Sequence, residues 1–371
     1  MSKHFTEDMG LISSGEELEK KKNKKQKEEK IGIDEKLQKL EELFGKGTVI
    51  PASSIKLENV KEWTSTGSIT LDLATKGGIP KGGLCTCILG KESASKTTLL
   101  LSIIAQEQKK NPEALAAFCD VEGTLDLDYA ENGIGVDLSR LHLIDRESLL
   151  KANGIKDRDI ISGEEWIEIA CKLLKSNLYE IVGFDSVAAL IPMVEISNGV
   201  SGAQIGRIAA LMAKGYRALN SALSVSKSAF VYLNQYRMNP GGYGNPYIEP
   251  AGEAMKYLQA LKIEISKSLD KDTNGVYGII VKGKITKSKV CVPYKEFEYY
   301  VEFGRGIVED YEIINLGIEY EVIKKTGNTY SWNESKLGVG QNQLEQFLKG
   351  NPEVMEEIKK EVLSKISLNS N

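Results

Sequence analysis

At 371 residues, with 41% apolar and 27% charged residues, the chain has the composition of a globular protein with room for a sizeable core and one or two smaller modules. No apolar run approaches a membrane span and no signal-type apolar stretch opens the sequence, which argues against a membrane-embedded class and predicts a cytoplasmic protein. The net charge of −4 does not advertise a nucleic-acid binder, yet an average hides a local basic groove, so charge alone leaves function open.

In chain order, EELEKKKNKKQKEEK (Glu16–Lys30) interleaves lysine and glutamate around a single leucine. It cannot bury an apolar face and predicts a mobile tail, with a basic arm on DNA as the rival reading. Ile33, Leu37, Leu40, Leu43 and Phe44 then recur at helical spacing before Gly45, predicting an amphipathic helix set apart from the main body. That helix packs either within the chain or on a neighbouring subunit. From Trp63 to Phe303, short apolar runs alternate with helical stretches. LCTCILG, LAAFCD, EIVGFD and AFVYLNQ read as buried strands, each ending in glycine or a polar residue. KTTLLLSIIAQEQ and AQIGRIAALMAKGYRALNSAL read as helices. The alternation predicts an α/β fold, a mainly parallel sheet between helices, with ligands at the carboxyl ends of the strands. Residues 306–371, closed by the helical NPEVMEEIKKEVLSKI, predict a small C-terminal α/β domain after an extension over 1–30, a helix and linker over 31–62 and a core over 63–305. The five cysteines (Cys85, Cys87, Cys119, Cys171 and Cys291) fall mostly inside these segments and read as buried, reduced thiols.

Chemistry first surfaces at GKESASKTT, Gly90–Thr98, directly after the strand LCTCIL. A phosphate-binding loop needs this context, because backbone N–H groups at a helix N-terminus wrap phosphates, a lysine reaches the outer ones and the next hydroxyl holds Mg2+. Gly90, Lys96 and Thr97 stand in those places, with Lys91, Glu92, Ser93 and Ala94 forming the loop and Thr98 closing it. Ser95 stands where the usual glycine precedes the lysine, so alone the imperfect pattern is level with a Ser/Lys-rich turn. Two more strand ends change the balance. FCDVEG offers Glu122 to orient or deprotonate a water, and EIVGFDSVAAL offers Asp185 as the carboxylate that holds Mg2+ through water. Together they predict ATP and Mg2+ binding, with Thr97 and Asp185 as metal residues.

Several further segments carry a resemblance. STGSITLDLATKGGIPKG, GKESASKTT, FCDVEGTLDLDYA, FDSVAALIPMVEI, YLNQYRMNPGGYGNP and KSKVCVPYKEFEY, with the C-terminal GNTYSWNESKLGVGQ and GNPEVMEEIKKEV, resemble the RecA family in order and spacing. The resemblance covers roughly Ile33 to Ser367. It implies a RecA-like phosphate-loop ATPase core, and an ATP-dependent recombinase that forms a homo-oligomeric filament on single-stranded DNA and exchanges strands with a duplex in recombination, repair and the SOS response. Under it, Glu122 matches the catalytic carboxylate and Asp185 the Mg2+-linked aspartate. Asp126 and Tyr129 match the adenine-holding positions, with Phe303 where a stacking tyrosine often stands. Gln235 matches the γ-phosphate sensor. Lys287 and Lys289 match paired lysines that reach the ATP of an adjacent subunit, and Lys256 and Tyr257 match positions at that interface.

DNA contact falls to two loops. The first, Val194–Arg207, is rich in glycine and serine and brings Ile205, Gly206 and Arg207, with Arg217 on the helix beyond. The second, Tyr236–Glu253, is rich in glycine and proline, so that no regular element is expected to span it; it brings Arg237, Met238, Tyr243 and Gly252. Arginines hold phosphates, apolar side chains wedge between bases and tyrosines stack on them. Without the resemblance, a DNA loop and a catalytic lid stand level. A ring helicase on the same core, or an ATP-gated scaffold that does not hydrolyse, are the rival readings of the whole; the joint match of glutamine, lysine pair and loops puts the recombinase ahead.

Overall fold

The computed structural model describes residues 35–50, 62–152, 154, 159–198, 207–238, 247–250, 252–272 and 275–369. The chain divides into two units, Met1–Asn59 and Val60–Asn371. In the first, residues 35–44 form the predicted helix, which stops where Gly45 takes a left-handed φ of +93° and its N–H bonds to Glu41 O at 2.9 Å. The charged extension, residues 1–30, lies outside the described residues.

The second unit is built on a nine-stranded sheet. Its strands are β1 (Cys85–Gly90), β2 (Ala116–Asp120), β3 (Leu141–Asp145), β4 (Ile181–Asp185), β5 (Ala229–Gln235), β6 (Gln259–Asp272), β7 (Gly275–Ser288), β8 (Glu296–Glu302) and β9 (Gly306–Val308). They lie in the order β9-β8-β7-β6-β1-β5-β4-β2-β3. From β6 through β1, β5, β4 and β2 to β3 every pairing is parallel. An antiparallel limb, β6-β7-β8-β9, extends the other side. The mainly parallel sheet is therefore as expected, and the antiparallel limb is an addition to it.

Period-two alternation in the inner strands sorts their side chains to two cores. Ile88, Phe118, Ile181, Val231 and Leu233 pack with Leu99, Leu100, Ile103 and Ile104 of the helix Lys96–Lys110. Cys85, Cys87, Leu89, Cys119, Val182, Phe184, Phe230 and Tyr232 face the other way, against Trp166, Ile167 and Leu174 of Gly163–Ser176 and Leu211, Met212 and Leu219 of Arg207–Leu223. Both faces are buried, which is why these strands read as continuous apolar runs. The two helices on the second face meet at Gly215, where a Cβ would lie 2.7 Å from Ile167 Cδ1. Register then fixes where the chemistry falls. Gly90 pairs with Gln235 and Asp120 with Asp185, so four strands deliver their terminal residues to one edge.

Two buried charged groups tie elements together. Lys81, 5% exposed, bridges Glu62 at 3.0 Å, Glu107 at 2.9 Å and Glu180 at 2.5 Å, while Thr64 donates to the other oxygen of Glu107 at 2.5 Å. Burial pulls the Lys81 pKa down, and Glu180, Glu107 and Glu62 more than reverse this, leaving it above the ordinary lysine value. The second group is Glu312, on the helix Glu309–Glu319 that opens the C-terminal part. That part adds the strands Lys324–Thr326, Thr329–Trp332 and Ser335–Val339 and the helices Gln341–Gly350 and Pro352–Asn369, around a separate core that includes Ile313, Ile323, Leu344, Ile358 and Val362. Fully buried, Glu312 accepts from Ser68 Oγ (2.8 Å), Thr70 Oγ1 (2.6 Å), Ile69 N (3.2 Å) and Thr70 N (2.8 Å), fastening the C-terminal core to the start of the helix Ile69–Thr75.

Burial pushes the Glu312 carboxyl up to about 7 against the pull of these donors. Its folded pKa thus exceeds its unfolded value of about 4.5, so between those values the native state holds a proton that the unfolded chain has lost. Stability from this group falls as pH rises through that window and levels off above it. Urea unfolding of Glu312→Gln at pH 5, 6, 7 and 8 is expected to show a flatter pH profile than the unmodified protein; an unchanged profile overturns the assignment.

All five cysteines are free thiols. Cys85, Cys87, Cys119 and Cys171 are buried and Cys291 is half-buried. Burial raises the first four, Cys119 to about 12. Among the described residues, no helix is long and apolar enough to cross a membrane.

Candidate active site

The loop between β1 and the helix Lys96–Lys110 turns tightly, with Ser93 at φ +53° and Ser95 at φ +62°. The position read from sequence as a missing glycine does take the left-handed conformation. A serine there costs about 1–2 kcal/mol relative to glycine, and its side chain makes no capping bond in return. Gly90 is required for a different reason, since a Cβ on it would lie 2.8 Å from Ile265 O of β6. Ala94 is buried, while Lys91, Glu92 and Ser93 are exposed on the rim.

Lys96 is 6% exposed, and its ammonium folds back to donate to Lys91 O at 2.8 Å. Burial lowers its pKa, opposed by Asp185, Glu122 and Glu92. Thr97 Oγ1 donates to Asp185 Oδ2 at 2.7 Å. Burial, joined by the like charges of Glu122 and Asp120, pushes Asp185 up to about 6. This hydroxyl–carboxylate pair in a site with surplus negative charge fits a divalent cation that also takes phosphate and water ligands. Among the described residues, no group of three or more His, Cys, Asp or Glu is placed to hold a metal by itself.

Glu122, exposed just past β2, is held by one oxygen. Ser186 Oγ donates to its Oε1 at 2.5 Å and Gln235 Nε2 to the same atom at 3.1 Å. Its second oxygen can therefore face a water. Asp120 serves the backbone instead, its carboxylate accepting from the N–H groups of Gly123, Thr124 and Leu125 and so shaping the turn that presents Glu122. Sequence reading did not assign Ser186, although its place after the strand β4 was visible.

Tyr129 opens the short helix Tyr129–Ile134, with its hydroxyl 3.4 Å from Thr98 Oγ1 and its N–H on Asp126 Oδ1 at 3.0 Å. The turn holding Phe303, whose ring is 54% exposed, packs there too, because a Cβ on Gly133 would lie 2.8 Å from Gly304 O. Asp126, Tyr129 and Phe303 are thus gathered at one end of the phosphate loop.

The stems of the second loop pair with each other, Arg237–Met238 running antiparallel to Tyr247–Ile248. The glycines and prolines concentrate between these stems, leaving strand-compatible residues on either side. Lys91 Nζ donates to Tyr247 Oη at 3.1 Å and lies 4.4 Å from its ring centroid, joining the phosphate loop to the stem. Arg237 is exposed but donates to Ala188 O at 2.6 Å, and Met238 is 72% exposed. Gly252, at φ +70°, opens the helix Gly252–Leu258 beside Ala209, where a Cβ on it would lie 3.2 Å from Ala209 Cβ. Arg207, half-buried, starts the helix after the first loop, so the ends of both loops meet. Arg217 is exposed about 15 Å further along that helix and is not gathered with them. Part of the first loop is helical, Met193–Asn198. Ile205, Gly206 and Tyr243 lie outside the described residues.

Lys287 donates to Lys256 O, and Lys289 to Tyr257 O at 2.9 Å. The pair points the same way, as its spacing predicts, onto the carbonyl end of the helix Gly252–Leu258, where positive charge is favoured.

A phosphate loop at the edge of a mainly parallel sheet, with a hydroxyl–carboxylate pair and a positioned glutamate on adjoining strand ends, defines a phosphate-loop ATPase. A family model of the RecA N-terminal domain matches residues 31–308, and one of the RecA C-terminal domain matches 311–367. Relatives named Protein RecA include that of Aquifex pyrophilus, 37% identical over 88% of this chain and 89% of its own. Those of Aquifex aeolicus (35% identical, covering 90% and 92%) and Macrococcus caseolyticus (36% identical, covering 90% and 90%) are similar over the same extent. The chain belongs to the RecA family, the DNA-dependent ATPases of homologous recombination.

Proposed function

We propose that this chain assembles as a filament on single-stranded DNA in the cytoplasm, binds ATP with Mg2+ at the Lys96–Thr97–Asp185 site, and pairs the bound strand with duplex DNA. The observation that carries this reading is the convergence of Ser186 and Gln235 on one oxygen of Glu122, beside the phosphate loop. In this scheme, N–H groups of Gly90–Thr98 and the Lys96 ammonium hold the phosphates, and Asp126, Tyr129 and Phe303 hold the adenine. Thr97 and, through water, Asp185 would hold Mg2+, which would neutralise phosphate charge. Glu122 orients and deprotonates the attacking water, and Gln235 exchanges its bond to Glu122 for one to the γ-phosphate. That exchange alters the strand leading into the second loop.

DNA is gripped by Ile205, Gly206, Arg207, Arg237, Met238, Tyr243 and Gly252, largely through phosphates, which leaves base edges free to test an incoming duplex by pairing. Lys287 and Lys289 reach the nucleotide of a neighbouring subunit, and residues 31–62 make a subunit contact. Lys96→Ala is expected to weaken ATP binding by about 10- to 100-fold, the value of a charge-assisted contact to phosphate, and to remove ATP-dependent filaments in electron micrographs. Normal filaments with that variant overturn the reading.

A further inference from the structure

Around Gln235 runs a buried polar network that the nucleotide chemistry does not use. Asn234, fully buried, holds two segments with one amide: its Oδ1 accepts from Gln235 N at 3.0 Å, and its Nδ2 donates to Pro250 O at 3.1 Å. Next to Pro250, Glu249 accepts at Oε1 from Gln259 Nε2 (3.2 Å) and, at longer range, Asn234 Nδ2 (3.5 Å). Its Oε2 lies 2.8 Å from Lys262 Nζ, and Lys262 continues to Glu264 Oε1 at 3.0 Å. Glu264 in turn accepts from Tyr236 Oη at 2.8 Å and Thr286 Oγ1 at 2.9 Å. The chain of contacts thus leaves the residue before Gln235 and returns to the residue after it, passing through the returning limb of the second loop, residues 247–250.

We propose that Glu249, paired with Lys262, is a positioning residue that makes this limb follow the state of Gln235. The inference rests on the reading of Gln235 as nucleotide sensor and of the second loop as DNA-contacting. Three observations support it. The side chains of Glu249 and Lys262 are only 9% and 14% exposed, and a buried ion pair adds little net stability over an apolar pair, so fixing geometry is its more natural role. The network is one bond short, because Gln259 Oε1 is buried without a hydrogen-bond partner, leaving an acceptor for a second arrangement. The limb is held at a second point by the phosphate loop, through Lys91 and Tyr247, so it touches the nucleotide site from both sides. The partners of Glu249 are Asn234, Gln259 and Lys262, none of which is assigned to hydrolysis.

The test compares the dissociation constant of the full-length chain for labelled oligothymidine without nucleotide and with a non-hydrolysable ATP analogue. The ratio of the two measures gating. Glu249→Gln, which keeps shape and removes charge, is expected to lower that ratio by about tenfold while analogue affinity and nucleotide-free DNA affinity stay within about threefold. Combining it with Gln235→Ala gives no further loss, since both act in one chain of contacts. A ratio unchanged by Glu249→Gln, or losses that add fully, overturns the inference, provided Gln235→Ala alone weakens gating without abolishing it. If Gln235→Ala leaves gating intact, the underlying reading fails instead. Should Glu249→Gln not fold, amide hydrogen exchange decides in the unmodified protein: protection at residues 247–249 rises with the analogue if the inference holds and stays constant if it does not.

Discussion

Replacing Glu122 by glutamine is expected to lower DNA-stimulated ATP turnover by about 10²–10⁴-fold while leaving ATP affinity within about threefold, the range set by loss of a positioned general base. Glutamine has the same shape and still offers an oxygen to Ser186 and Gln235, the two donors that converge on Glu122 Oε1. The carboxylate itself is lost, and with it the ability to take a proton from water. Steady-state phosphate release and equilibrium binding of a fluorescent ATP analogue separate the two effects. Turnover retained to within tenfold removes Glu122 from the role of base. A matching fall in affinity points instead to a collapsed loop, because Glu122 also bears on the Lys96 ammonium.

Lys81→Ala is expected to destabilise the protein by about 3–5 kcal/mol, the usual result of removing one partner from a buried ion pair. Glu62 and Glu180 are partly exposed and can turn to water, but Glu107 is 3% exposed and would keep its charge without its cation. For a domain of this size the unfolding midpoint should fall by about 10 °C. A second substitution identifies the cause: adding Glu107→Leu to Lys81→Ala should restore more than half of the loss, since the stranded charge is then gone. No recovery means that the lost lysine stem, not the charge, is what matters. Glu107 sits near the end of the phosphate-loop helix, so the same cluster anchors that helix at the end away from the nucleotide.

Sequence alone reached the inner strands because both of their faces are buried, which leaves continuous apolar runs ending in a polar residue. It reached the phosphate loop because Gly90–Thr98 set a lysine and a hydroxyl directly after a strand, and the carboxylates at two further strand ends completed the pattern. It could not reach groups whose partners are remote. Ser186 meets Glu122 across 64 positions, and Glu312 meets Ser68 across 244, and no periodicity encodes either contact. The antiparallel limb was obscured for another reason: the far parts of β6 and β7 expose Leu269, Val276 and Tyr277, so their apolar residues do not mark a buried face. The residues proposed for the adenine side, the glutamine and the lysine pair were suggested only by family likeness, since each is, taken singly, an ordinary strand end or solvated charge. The stems of the second loop were masked by the glycines and prolines between them, which dominate any local reading.

The distribution of thiols has a practical consequence. Cys85, Cys87, Cys119 and Cys171 are buried, which raises the pKa of each thiol, while Cys291 is half-buried with its sulfur 3.0 Å from Ser288 Oγ. A maleimide dye added to the native chain has one cysteine within reach, a short distance past Lys287 and Lys289. The wild-type sequence therefore accepts a single fluorophore beside the lysine pair without any cysteine being engineered in or out, and that reporter would sense whatever comes to rest against the end of β7.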